Sequence, residues 1–76
     1  MSDTVRLQLV ADARRLAELL CMGLRTIRTL DAAEKLPDPV RIGGRVVWRI
    51  DEIQAWLAAG APSREEWELR KEHSDF

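Results

Sequence analysis

Seventy-six residues give room for one small domain with a thin core and no more. The single cysteine, Cys21, excludes an internal disulfide and a multi-cysteine zinc site, and the single histidine, His73, leaves little basis for a Cys/His catalytic pair or a histidine metal site. The formal net charge of −1 averages two unlike parts: residues 12–49 hold eight basic and five acidic side chains, residues 50–76 three basic and seven acidic.

Ten of the twelve basic residues are arginine, whose planar fork suits phosphates and guanine edges. No apolar run has the length of a signal peptide or a membrane span, and Met1-Ser2-Asp3-Thr4 is a polar start. A reducing, cytoplasmic setting is the expectation.

"VRLQLV", residues 5–10, alternates apolar and polar residues and predicts a short strand or extended arm. Asp12 stands where a helix N-cap belongs. The spacing of Ala13, Leu16, Ala17, Leu19 and Leu20 predicts a helix over 12–20 with one buried face. Cys21-Met22-Gly23 interrupts it. Cys21 is expected to be a small buried residue at the helix end, and Gly23 the next N-cap.

"LRTIRTLDAAEK" predicts a second helix, stopped by Pro37. Leu24, Ile27, Leu30 and Ala33 sweep its inner side. Arg25, Arg28, Thr29 and Ala32 share the outer side, and Thr26 projects nearer the core. Two helices joined by a tight turn, the second with a basic outer stripe, form a helix-turn-helix signature. An ordinary helical pair with a solvated charged face gives the same pattern.

"LPDPV" reads as an extended linker. "VRIGGRVVWR", residues 40–49, reads as a β-hairpin turning at Gly43-Gly44, where both residues need positive φ. The alternation predicts Val40, Ile42, Val46 and Trp48 on the core side and Arg41 on the other. Glycines at the tip let backbone approach a phosphate, and Arg41 and Arg45 flank them. A plain solvated hairpin is the alternative.

Asp51 and Gln54 spell a capping box for a third helix, with Ile53, Trp56 and Leu57 buried and an end near Gly60. Ser63 and Glu66 spell another ahead of a short helix over 64–72, whose one large apolar residue is Trp67. That residue either folds back on the domain or docks on a partner. The chain divides on this reading into residues 1–60 and an acidic tail, 61–76.

Taken in order, "LAELL", "RTIRTL", "KLPDPVRIGGRVVWR" and "IDEIQAWL" resemble the winged helix-turn-helix of phage excisionases, especially the AlpA-type phage and prophage regulators within the MerR-like superfamily. The likeness covers roughly residues 7–57. It implies a mainly α fold with a small β-hairpin. It also implies a second helix in the major groove and the hairpin against adjacent backbone or minor groove. Carried over by position, the DNA-binding residues are Arg25, Thr26, Arg28 and Thr29 on the helix and Arg41, Gly43, Gly44 and Arg45 on the wing. Cys21 stands where such proteins usually place a glycine, and Val46 and Val47 where the wing is often basic.

The expected function is sequence-specific binding of double-stranded DNA, as a phage-type transcription regulator or an excisionase-like recombination directionality factor. Self-association on DNA is expected, an integrase is a candidate protein partner, and Trp67 is the candidate docking residue. The alternative is a protein-interaction adaptor of winged-helix shape, such as a packaging or integrase accessory subunit. No nucleophile–base pair or phosphate loop stands out, so neither enzymatic activity nor a cofactor or metal is expected.

Overall fold

Asp12 caps the first helix as its position demands: its carboxylate accepts the backbone N–H of Arg15 at 2.9 Å. A computed structural model describes residues 8–73. Its elements run β1 (Val10–Ala11), α1 (Ala13–Leu19), α2 (Leu24–Ala32), β2 (Val40–Ile42), β3 (Arg45–Arg49), α3 (Ile50–Ala58) and α4 (Arg64–His73). The protein is mainly helical with one small antiparallel sheet, ordered β1-β3-β2. Only the end of the predicted first strand is covered by β1; residues 5–7 lie outside the described part.

Three helices end in the same hydrogen-bond pattern. After α1, Met22 N–H donates to the Ala17 carbonyl at 2.8 Å and Cys21 N–H to Glu18 at 3.2 Å. After α2, Lys35 N–H reaches Leu30 and Glu34 N–H reaches Asp31. After α3, Ala61 N–H reaches Trp56 and Gly60 N–H reaches Leu57. This is the Schellman arrangement, which needs a left-handed residue just past the cap. Only α3 supplies glycine there. The other two place Cys21 and Glu34 at φ 59°. Cys21 is therefore an exposed turn residue, a correction to its expected burial. Gly23, at φ −78°, is the N-cap of α2 as expected. The second helix stops at Ala32, and Ala33 is exposed.

Gly43 and Gly44 make the tight turn, at φ 55° and 87°. The register pairs Ile42 with Arg45, Arg41 with Val46 and Val40 with Val47. Opposed residues of an antiparallel pair share a face. Arg41 thus lies on the face of Val46 and Trp48, while Val40 and Ile42 share the other face with Arg45 and Val47. This corrects the expected sidedness. A two-residue turn pairs an even-numbered residue with an odd-numbered one, so the even positions of the two strands cannot share a face.

The core unites Ala11, Leu16, Ala17, Ile27, Leu36, Trp48, Ile53, Trp56 and Trp67. Each indole N–H is satisfied: Trp48 donates to the Pro37 carbonyl, Trp56 to the Pro62 carbonyl (both 2.8 Å), and Trp67 to the Glu52 carboxylate at 3.0 Å. Such pairing is what allows a large amphipathic ring to be buried in so small a core. Trp67 is 4% exposed. It is a core residue, which corrects its assignment as a docking residue, and α4 packs into the same core as the rest rather than standing apart as a tail.

The expected box at Asp51 does not form. Pairing of Arg49 with Val10 extends β3, and Ile50 N–H donates to the Leu9 carbonyl at 2.9 Å. The helix starts directly after Arg49, which leaves Asp51 in its first turn, paired with Arg49 at 2.7 Å. At α4, Ser63 Oγ does accept the Glu66 N–H, at 3.3 Å.

Candidate nucleic-acid interface

Ile27 and Trp48 are buried neighbours at the base of a cleft between the start of α1, one flank of α2 and β3. Its volume is 470 Å³. Three arginines line it: Arg14 from α1, Arg28 from α2 and Arg45 from the hairpin. Asp12 and Asp31 line it as well. The cleft brings together two predicted residues, Arg28 and Arg45, from opposite sides of the hairpin–helix junction. Arg14 was missed by sequence reasoning. It precedes Leu16, which is buried, and lies on the exposed side of α1. Its position just after the Asp12 cap was the available signal, because the cap sets how the first turn meets the hairpin.

The other predicted residues fall around this cleft rather than in it. Arg25 and Thr29 are exposed on α2, on the side away from Ile27. Thr26 is exposed too, a correction to its expected place nearer the core. Arg41 and the two glycines are exposed on the hairpin.

The ion pairs separate two groups of basic side chains. Arg15, Arg49, Arg64, Arg70 and Lys71 each hold a carboxylate at 2.7–3.2 Å. Arg45 holds Asp12 at 3.1 Å. Among the described residues, the side chains of Arg14, Arg25, Arg28, Lys35 and Arg41 form no ion pair or hydrogen bond. Four of these five belong to α1, α2 or the hairpin. Unneutralised arginines on one region leave positive potential there.

The two acids in the cleft are both engaged. The Arg15 backbone N–H holds the Asp12 carboxyl below its usual pKa of 3.8; burial opposes this, and the charges of Arg45 and Arg14 add to it. Asp31 is held by Arg64 at 2.8 Å. Among the described residues, no group of three or more His, Cys, Asp or Glu side chains is placed to hold a metal ion, and no helix is long and apolar enough to cross a membrane. Comparisons of the chain with protein-family models, with curated proteins and with solved structures find no match.

Proposed function

We propose that this chain is a small, sequence-specific binder of double-stranded DNA, a winged helix-turn-helix acting as a phage-type transcription regulator or an excisionase-like recombination factor. The observation that carries the reading is the cleft in which Arg14, Arg28 and Arg45 converge from three elements. On this reading α2 enters the major groove. Arg25 is placed centrally on its outer side and takes a bidentate contact to guanine, with Thr29 and Ala32 close enough to meet a thymine methyl. Arg28 faces the hairpin and, with Arg14 and Arg45, neutralises a phosphate run. Gly43 and Gly44 lack side chains that would hold the hairpin tip away from the backbone, and Arg41 adds a charge beside them.

One copy offers too little surface for strong specificity, so adjacent copies on DNA are part of the proposal. In the excisionase-like role the protein partner is an integrase on the same DNA. The adaptor reading draws on a different feature: Ile42, 55% exposed, and Val40 leave exposed apolar surface on the hairpin.

The test is fluorescence anisotropy of a labelled random-sequence duplex at several salt concentrations, beside an Arg25→Ala/Arg28→Ala/Arg45→Ala variant. The DNA reading expects a log–log salt slope of roughly −3 to −5, shallower by about 0.9 for each phosphate that the variant leaves unneutralised. Absence of binding at low salt, or binding untouched by the triple substitution, overturns it and favours the adaptor.

A further inference from the structure

Arg64 belongs to α4, yet its side chain reaches the end of α2. Its Nη2 donates to Asp31 Oδ1 at 2.8 Å and its Nε to the Leu36 carbonyl at 2.8 Å. Its own backbone N–H donates to the Glu34 carbonyl at 3.0 Å. The side chain is only 18% exposed, so three hydrogen bonds hold the residue in one place. Asp31 and Arg28 are three residues apart on α2 and line the same cleft. Side chains at that spacing are neighbours and pair when their charges are opposite. In this structure they do not pair. Asp31 is taken by Arg64, and Arg28 has no ionic partner among the described residues.

We infer that Arg64 is a positioning residue for the DNA face: by occupying Asp31 it keeps Arg28 unpaired and the cleft free of an uncompensated carboxylate. The inference rests on the DNA-binding reading above. The C-terminal helix then acts on DNA binding without touching DNA. Without Arg64, the Asp31 carboxylate turns to Arg28 and repels the phosphate that Arg28, Arg14 and Arg45 would share.

The test uses the full chain and the labelled random-sequence duplex. Arg64→Met keeps the apolar stem and removes the charge. It is expected to weaken binding about 5-fold and to make the salt slope shallower by about 0.9, the share of one neutralised phosphate. Adding Asp31→Asn restores binding to within about 2-fold of the parent. Adding Asp38→Asn instead does not, although it gives the same net charge; Asp38 approaches Arg64 only at 4.0 Å, and it lies beyond α2. Equal rescue by both second substitutions, or no weakening by Arg64→Met, overturns the inference while leaving DNA binding intact. Failure of the parent chain to bind DNA overturns both readings. Should Arg64→Met not fold by circular dichroism, the single variants decide. Asp31→Asn alone is expected to leave affinity unchanged, since Asp31 is already neutralised. A gain several-fold larger than that from Asp38→Asn overturns the inference.

Discussion

The indole N–H of Trp67 donates to the carboxylate of Glu52 at 3.0 Å, and both side chains are buried. Glu52 is 6% exposed. A carboxylate so placed is tolerated only when it is paired. Lys71 Nζ completes the pairing at 2.7 Å. The α3–α4 junction is thus an apolar contact with a satisfied polar centre.

Trp67→Ala removes the ring and one of the donors to Glu52. A loss of about 3–5 kcal/mol is expected from such a truncation. A domain of this length has about 4–11 kcal/mol in all, so the variant is expected to lose a large part of its stability. Trp67→Phe keeps most of the apolar area and loses the donor, at a cost of about 1–3 kcal/mol. Urea unfolding followed by circular dichroism measures both. An unchanged midpoint for Trp67→Ala shows that α4 does not contribute to the core.

Lys71 supplies a pH dependence. Burial opposes its charge, but its hydrogen bonds to Glu52 and Glu68 together with their negative charges outweigh burial, and its pKa lies above the usual 10.5. For a raised basic group the contribution to stability is complete below 10.5 and is lost as pH rises through the higher folded value. The parent chain is expected to lose more stability than Lys71→Met between about pH 9 and pH 12. Groups common to both chains cancel in the comparison. Parallel loss in the two chains shows that the Lys71 pairs add nothing.

Residues whose local chemistry agrees with their long-range packing were legible in the sequence. Asp12, Gly23, Gly43 and Gly44 take the conformations their types predict, and Leu16, Ile27, Ile53 and Trp56 are buried at the expected helical spacing. Several misreadings arise where pairing with another segment decides. The face of Arg41 follows from the register across the turn. The start of α3 follows from pairing of Arg49 with Val10. The burial of Trp67 follows from Glu52, fifteen residues earlier. Of the candidate site, the residue types on α2 and the hairpin were readable. The meeting of Arg14 with Arg28 and Arg45 was not, because it depends on how three elements close around Ile27 and Trp48.

The left-handed cysteine and glutamate make a prediction of their own. Cys21 and Glu34 hold φ 59° where the Schellman pattern favours glycine. A side chain in that region costs about 1–2 kcal/mol, part of which glycine returns as unfolded-state entropy. Neither residue is buried. Cys21→Gly and Glu34→Gly are each expected to stabilise the chain by about 0.5–1 kcal/mol, read as a rise in urea midpoint. The converse change at the hairpin, Gly44→Val, places a β-branched residue at φ 87° and is expected to lower the midpoint. A fall for Cys21→Gly shows that the thiol contributes to the turn beyond its backbone.

Asp12 joins helix capping to the cleft through two different oxygens. Oδ1 accepts the Arg15 N–H and Oδ2 accepts Arg45 Nη2. A DNA phosphate therefore competes with Asp12 for Arg45. Asn caps helices as well as Asp does, but it carries no charge. Asp12→Asn is expected to keep the melting temperature, release Arg45 and strengthen duplex binding several-fold, with a steeper salt slope. Asp12→Ala also releases Arg45 but loses the cap, so its affinity gain comes with a lower melting temperature. Arg14→Ala tests the third side of the cleft: it is expected to make the slope shallower by about 0.9 while leaving the fold unchanged, since Arg14 is exposed and has no ionic partner among the described residues. Anisotropy with the random-sequence duplex measures all three. Weaker binding by Asp12→Asn shows that the Asp12–Arg45 pair orients the hairpin for DNA instead of competing with it, and the role of Asp12 in the cleft is then structural.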